Sequence, residues 1–244
     1  MTGGGRGLGR GIAEALAARD FHVVVTHRPG SAGAAAVLRA IRHRGGTADS
    51  IPLDLTEAAP FTAFRERLVT LLSDGDTPRL DVLINNAGVG VFRALDELTP
   101  EDYEESFAVN IRGPLFLTQA LADLMPPGAS VVNVSTQMTR QADPTSLLYS
   151  ASKAALESLT GTLAMALGPR GIRVNSIAPG PTATDFNGGA MRDSEALREY
   201  ISSRTAFGRV GTPDDIALAV AGLLHPDMAW ITGQRIEAAG GAFL

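Results

Sequence analysis

The chain contains no cysteine, which excludes disulfide bonds, thiolate catalysis and cysteine-ligated metals. It has no long apolar run and no charged-then-apolar leader, so we expect a cytoplasmic protein without a membrane span or secretory signal. Basic charge is also scarce. The net charge of −5 argues against a nucleic-acid surface, and the one basic run, Arg39 to Arg44, is typical of the end of a helix. We predict no metal site, so any redox chemistry must belong to a bound organic cofactor.

What is present is a regular alternation of strand-like and helix-like segments over 244 residues. This alternation predicts an α/β fold, a doubly wound parallel sheet with helices on both faces, in one domain over residues 1–244. Strands are predicted at 22–26, 49–53, within 80–88, and at 130–135, 172–179 and 234–238. Helices are predicted at 31–44, 60–72, 100–125, 146–167, from 193 onward and at 213–224.

Residues 180–207 interrupt this pattern with a stretch rich in Gly, Pro and Thr. An irregular segment beside strand ends is a candidate substrate lid. A plain surface excursion explains the composition equally well.

Tyr149 and Lys153 lie four residues apart in a predicted helix. This spacing leaves their side chains about 40° apart around the helix, so they share a face. A nearby ammonium favours phenolate, so Lys153 is expected to lower the pKa of Tyr149 and make it a general acid or base. Taken alone, such a pair is more often a pair of surface neighbours.

The segment TGGGRGLG, at residues 2–9, leads directly into a predicted helix. Glycines allow backbone N–H groups to approach a pyrophosphate, and a helix N-terminus favours negative charge. The spacing Gly3, Gly7, Gly9 differs from the GxGxxG dinucleotide fingerprint, so the loop alone is weak evidence.

Five motifs in order resemble the short-chain dehydrogenase/reductase family over essentially the whole chain. They are TGxxxGxG at 2–9, NNAG at 85–88, a helix asparagine at Asn110, YxxxK at 149–153, and PGxxxT at 179–184. The resemblance implies a sheet of seven parallel strands with a nicotinamide cofactor across their carboxyl ends. It also implies hydride transfer between that cofactor and a carbonyl or secondary alcohol substrate.

By this resemblance, Tyr149 exchanges the proton and Lys153 holds the nicotinamide ribose. Asn110 would hold a water that links Lys153 to solvent, although it could be an ordinary helix-interior residue. The remaining cofactor-binding residues implied are Gly3, Arg6, Gly7, Leu8 and Gly9 at the pyrophosphate and ribose, Asp54, Leu55, Asn86, Ala87 and Gly88 at the adenine, and Pro179, Gly180, Thr182 and Thr184 at the nicotinamide.

Cofactor choice depends on the end of the strand that precedes His27. A carboxylate there would bind the adenosine ribose and repel a 2′-phosphate. This chain has His27 followed by Arg28, and Arg6 in the glycine loop could join Arg28 on a phosphate. We therefore predict NADP(H), with NAD(H) possible.

The hydroxyl that polarises the carbonyl departs from the family pattern. The family usually has serine thirteen residues before the tyrosine, a position that is Thr136 here, directly after Ser135. Successive strand residues point to opposite faces, so only one should reach the substrate, and we choose Thr136. We expect the substrate pocket to be lined by Val91, Phe92, Gln137, Met138, Phe186 and Asn187. Packing in the core is the alternative for each of these residues.

The glycine loop begins at the second residue, so the strand that normally precedes it is missing from this sequence. We expect its neighbours to keep unpaired backbone groups, and a mis-assigned start or a truncated record is the favoured explanation. The resemblance also implies a homodimer or homotetramer built from helices 100–125 and 146–167. Two alternative functions are a non-catalytic nucleotide-binding regulator and an epimerase or dehydratase. The regulator would be expected to lack Tyr149 or Lys153, and the epimerase or dehydratase would carry an extra substrate domain.

Overall fold

The computed structural model describes residues 1–57, 60–73 and 77–244. Its helices are α1 (Gly7–Ala17), α2 (Gly33–His43), α3 (Pro60–Leu72), α4 (Pro100–Phe107), α5 (Gly113–Leu121), α6 (Leu147–Leu167), α7 (Ala190–Asp193), α8 (Glu195–Ser203) and α9 (Pro213–Leu223). Its strands are β1 (Val23–His27), β2 (Ala48–Pro52), β3 (Val82–Asn85), β4 (Ser130–Val134), β5 (Arg173–Pro179) and β6 (Arg235–Ala238).

All strand pairs are parallel, as the alternating sequence pattern predicts. They form two pieces, β1–β2 and β3–β4–β5–β6. One apolar core packs α1, α2 and α9 against the sheet, and a second core packs α3, α5 and α6 against its other face. The chain therefore has three layers, and the expectation of a parallel sheet covered on both sides is confirmed.

The expectation of seven strands is not met by the described residues, which form six. Residues 1–4 lie between β1 and β3 and bond to both strands. Toward β1, the Met1 amino group donates to the Val24 carbonyl (2.6 Å), Thr26 N donates to the Met1 carbonyl (2.9 Å) and Gly4 N donates to the Thr26 carbonyl (3.1 Å). Toward β3, Thr2 N donates to the Ile84 carbonyl (2.9 Å). Beside these residues, a cavity of about 220 Å³ separates the two sheet pieces and is bordered by both strands.

The predicted helix 100–125 is interrupted at its centre. Residues 108–112 form a π-helical turn between α4 and α5, and a short 3₁₀ turn follows α5. Pro114 explains the change, because a proline has no N–H to donate to the carbonyl of the residue four positions earlier, Asn110. Among the described residues, no helix is both long and apolar enough to cross a membrane.

Candidate active site

The glycine loop and the start of α1 form a cradle for an anion. Gly7 has φ of +52°, which favours glycine, and a Cβ on Gly9 would lie 2.1 Å from the Gly3 carbonyl oxygen. No side chain caps the N-terminus of α1. The first-turn N–H groups lack intrahelical acceptors, so this end of the helix fits a phosphate group.

The loop after β3 is tied to this cradle by Thr2, a residue that the site prediction did not include. Its hydroxyl accepts hydrogen bonds from the backbone N–H groups of Asn86 and Ala87, both at 3.0 Å. The Asn86 side chain donates to the carbonyls of Thr2 (2.9 Å) and Gly3 (3.1 Å). These contacts fix two loops that the sequence separates by more than eighty residues.

Gly88 brings the same loop against α6, the helix that carries Tyr149 and Lys153. A Cβ at this position would lie 3.1 Å from Lys153 Nζ and 3.2 Å from Asn110 Oδ1. Only a glycine leaves the backbone this close to both side chains without displacing them. The structure thus brings Gly88, Asn110 and Lys153 together, as the motifs require.

Asn110 lies in the π-helical turn and is fully buried. Its side-chain amide donates to the Val89 carbonyl (2.9 Å) and to Ser152 Oγ (2.9 Å), and its Oδ1 accepts from Val89 N (3.0 Å). The side chain therefore positions the loop after β3 against α6. The predicted water relay through Asn110 stays a prediction.

Lys153 is buried, and its ammonium donates to the Val134 carbonyl at the end of β4 (2.8 Å). Burial lowers the pKa of Lys153 to about 8, because charge is costly to remove from water, and the Glu157 carboxylate opposes this shift.

Tyr149 does not show the lowered pKa expected from its spacing to Lys153. Burial raises the pKa of Tyr149 to about 12, and an interaction with the Thr136 side chain opposes the shift. The expectation was wrong for the protein's own groups, because desolvation of the phenolate dominates the pKa of Tyr149. The phenol is therefore protonated at neutral pH.

Ser135 and Thr136 take different roles at the end of β4. The Ser135 hydroxyl donates to Glu157 Oε1 (2.5 Å), away from Tyr149. The Thr136 hydroxyl interacts with Tyr149 and accepts a hydrogen bond from Met138 N (3.3 Å). The two hydroxyls therefore have different partners, although both residues follow the last residue of β4, Val134.

The predicted phosphate-binding arginines each have a carboxylate partner. Arg6 Nη1 lies 2.9 Å from Asp185 Oδ2, and Arg28 lies 3.3 Å from Glu105 and 3.8 Å from Asp54. His27 is the last residue of β1 and directly precedes Arg28; its Nδ1 lies 2.9 Å from the Arg28 carbonyl oxygen. These groups are mostly exposed, so their ion pairs can exchange for another anion.

The other predicted cofactor positions differ in exposure. Leu55 is buried in the core beside Gly113. Asp54 accepts hydrogen bonds from the Thr56 hydroxyl and backbone N–H. Desolvation raises the pKa of Asp54, but these hydrogen bonds and the Arg28 charge together lower it below its usual value. After β5, Gly180 N donates to Ala238 O, and Thr182 Oγ1 donates to Gly180 O (2.9 Å). The buried Thr184 accepts from Phe186 N (3.2 Å).

Two aromatic rings pack beside the Tyr149 phenol. The ring centroids of Phe92 and Phe186 lie 5.3 and 5.6 Å from that of Tyr149, and 6.3 Å from each other. Gly90 permits this packing, because a Cβ there would lie 2.6 Å from Phe92 and 2.7 Å from Phe186.

Of the other residues predicted to line the substrate pocket, Val91 and Met138 are half-buried and Asn187 is exposed. Gln137 is buried and donates to the Ala242 carbonyl, so its amide is already engaged.

Comparison with known proteins identifies the family. Residues 3–242 match the family model described as enoyl-(acyl carrier protein) reductase, a branch of the short-chain dehydrogenases. The chain belongs to the short-chain dehydrogenase/reductase family. It is accordingly an NAD(P)-dependent oxidoreductase.

Similar proteins cover the chain almost completely. An uncharacterized oxidoreductase of Methylorubrum extorquens is 40% identical over 241 residues, covering 99% of this chain and 95% of the relative. A hydroxynaphthalene reductase-like protein Arp2 of Metarhizium guizhouense is 35% identical, covering 99% and 93%. The angucycline C-6 ketoreductase LanV with bound NADP is 38% identical, with a TM-score of 0.92 over 99% of this chain and 93% of that one. A second LanV structure contains NADP and rabelomycin, at a TM-score of 0.88 and 37% identity over 99% and 94%.

Proposed function

We propose that this oxidoreductase is an NADP(H)-dependent carbonyl reductase or alcohol dehydrogenase with Tyr149 as general acid or base. The observation that carries the proposal is the convergence of Tyr149, Thr136 and Lys153 at the carboxyl end of β4. When bound, NADP(H) supplies or accepts the hydride at its nicotinamide ring.

The proton transfer belongs to Tyr149. Burial keeps the phenol protonated, so in the direction of reduction it already holds the proton that the carbonyl oxygen needs. Thr136 polarises the same oxygen, since Ser135 is engaged by Glu157. Lys153 would stabilise the phenolate that remains and would hold the nicotinamide ribose.

The preference for NADP(H) rests on the end of β1, where His27 stands in place of a carboxylate. Arg6 and Arg28 would exchange Asp185 and Glu105 for the 2′-phosphate, a dianion that repays the loss of two exposed ion pairs. Bound NADP in LanV supports this choice. The Arg6–Asp185 pair also connects segment 180–207 to the glycine loop, which supports a lid role for that segment.

The substrate class that the site favours is a fused-ring aromatic ketone. Phe92 and Phe186 offer ring faces beside Tyr149, and planar aromatic ligands gain from offset or edge contacts with such rings. The hydroxynaphthalene reductase-like relative and the LanV structure with bound rabelomycin support the same class.

Self-association through the helices on the α5 and α6 side is a further part of the proposal. Met165 on α6 is 81% exposed and Phe116 on α5 is 42% exposed, and burying them against a second copy would remove apolar surface from water. A monomer by light scattering would contradict it.

A screen of ketones and aldehydes with NADPH, followed at the nicotinamide absorbance, tests the reaction. We expect turnover with fused-ring aromatic ketones, and a loss of about 10²–10⁴-fold in kcat for Tyr149→Phe. Tyr103→Phe is the matched control, because Tyr103 is a half-exposed tyrosine stacked on Phe107. Cofactor binding without turnover of any carbonyl would instead favour a regulatory protein. A higher kcat/KM for acyclic aliphatic ketones would contradict the substrate class.

A further inference from the structure

Glu157 collects three hydrogen bonds directly behind the catalytic groups. Its Oε1 accepts from Ser135 Oγ (2.5 Å), from Arg235 Nε (2.8 Å) and from Thr139 Oγ1 (3.0 Å). Glu157 is also four residues beyond Lys153 and eight beyond Tyr149, so the three side chains follow one side of α6. The carboxylate therefore links the catalytic helix to the segment after β4.

Arg235 extends this link to the C-terminal strand. Besides Glu157, it donates to Glu237 Oε2 (2.8 Å), to the Thr136 carbonyl (3.3 Å) and to Thr139 Oγ1 (3.3 Å). Only 11% of its side chain and 16% of the Glu157 side chain are exposed. A pair this buried bears a desolvation cost that an ordinary surface ion pair avoids, and its geometry is correspondingly restrained.

The bonded groups bracket Thr136 on both sides. They are the Ser135 side chain, the Thr136 carbonyl and the Thr139 hydroxyl. The single proton of the Thr139 hydroxyl has two acceptors within reach, Glu157 Oε1 (3.0 Å) and the Thr136 carbonyl (3.1 Å). A pair that served only to attach β6 would have no need to engage three points of this turn. Its contacts restrain the turn after β4 that carries the Thr136 hydroxyl.

We infer that Glu157 and Arg235 form a positioning pair that holds the Thr136 hydroxyl against Tyr149. The inference rests on the proposed function, since it assigns the pair a role in that reaction. Neither residue touches the reacting atoms, so both act through the turn that carries Thr136.

The pair also has an electrostatic consequence for Lys153. The charged and titratable groups on the elements around Lys153 and the pair are Tyr149 and Glu157 on α6, Arg235 and Glu237 on β6, and Arg140 in the turn after β4. Arg140 lies 3.6 Å from Glu237. Of these, Glu157 acts on Lys153 directly and raises its pKa against the effect of burial. Removing that charge should lower the pKa of Lys153.

Two substitutions separate positioning from charge. Arg235→Met removes the guanidinium donors to Thr136, Thr139 and Glu157. We expect kcat to fall about tenfold or more while the KM for NADPH changes less than about twofold. Glu157→Gln keeps an acceptor for Ser135 and Thr139, so its kcat should fall less. The double variant should be no worse than Arg235→Met, because the two residues act as one unit. Arg235→Lys, which keeps the charge, should recover part of the rate.

The pKa of Lys153 provides a second measurement, one that a purely structural role of Glu157 would leave unchanged. It is the only lysine in the sequence, so lysine labelled at Cε gives a single side-chain NMR signal whose titration reports its pKa. Glu157→Gln should lower that midpoint.

Arg173→Met is the matched control for stability. This half-buried arginine at the start of β5 donates to the Ile231 and Leu223 carbonyls, far from the turn, and its loss should leave kcat unchanged. The inference is overturned if folded Arg235→Met and Glu157→Gln keep the parent kcat, or if Arg173→Met loses as much kcat. Full turnover by Tyr149→Phe would contradict the proposed function. Full turnover by Arg235→Met and Glu157→Gln, together with loss of turnover in Tyr149→Phe, would contradict the positioning inference alone.

Discussion

The two ends of the candidate cofactor site differ in how their charges are held. Lys153 is 3% exposed and donates to a strand carbonyl, whereas the Arg6 and Arg28 side chains are 75% and 53% exposed and pair with surface carboxylates. Buried groups keep one geometry because no water can replace a lost partner, while exposed ion pairs contribute at most about 1 kcal/mol and exchange easily. Substitutions at the catalytic end should therefore change kcat, and those at the phosphate end should change KM.

The largest effect should come from Lys153→Met. We expect kcat/KM to fall by about 10²–10⁴-fold, because the phenolate loses its compensating ammonium. The same substitution should raise the melting temperature at pH 7, because burial depresses the folded-state pKa from 10.5 to about 8 and so makes the ammonium costly.

The sign of this stability difference has a pH signature. Above about pH 8 the folded parent protein loses the proton while the unfolded chain keeps it, so the parent gains stability as pH rises. Melting curves at pH 7 and 9 should thus show a smaller advantage for Lys153→Met at the higher pH. A constant difference would contradict the lowered pKa.

Thr136→Ala ranks second. Loss of the polarising hydroxyl should reduce kcat about a hundredfold, comparable with removal of one oxyanion donor. Thr136→Ser, which keeps the hydroxyl, should stay near the parent rate, and Ser135→Ala should lose less than about tenfold because Ser135 acts through Glu157. If Ser135→Ala abolishes turnover while Thr136→Ala does not, the assignment is wrong.

The pH dependence of reduction ranks third. The rate should decline as pH rises through about 8, since Lys153 loses its charge there while Tyr149, with a pKa of about 12, stays protonated. Steady-state rates from pH 6 to 10 at saturating NADPH measure this. A flat profile would show that Lys153 is not the titrating group.

The smallest effect is expected for Arg28→Gln. The KM for NADPH should rise about tenfold and that for NADH should not, because only NADPH carries the 2′-phosphate. Arg42→Gln, an exposed arginine paired with Asp49, is the control and should leave both values unchanged. A native preference for NADH would refute the cofactor assignment.

The fold was predictable because its signals are local. Helix α3 has the predicted bounds of 60–72, and β1, β2, β4, β5 and β6 each fall within one residue of prediction. The prediction did not include the interruption of the helix at Asn110. Pro114 was a visible signal for it, because a proline four residues after Asn110 has no N–H to donate to the Asn110 carbonyl. Thr2 could have been added to the site, since it is the first residue of the glycine motif.

The Glu157–Arg235 pair and the pKa of Tyr149 had no comparable signal. The pair joins residues 78 positions apart, and nothing near either residue indicates the other. The Tyr149 prediction considered one neighbouring charge, while the outcome depended on how much water the surrounding rings and strands exclude.

The sequence by itself determined the parallel α/β architecture, the family and the order of the site motifs, because apolar periodicity, glycine and proline act over a few residues. Only the tertiary structure decided that Ser135 turns to Glu157 while Thr136 faces Tyr149, that the phenol stays protonated, and that Arg6 and Arg28 have carboxylate partners. Those outcomes depend on burial and on contacts between distant segments, which exist only once the layers have packed.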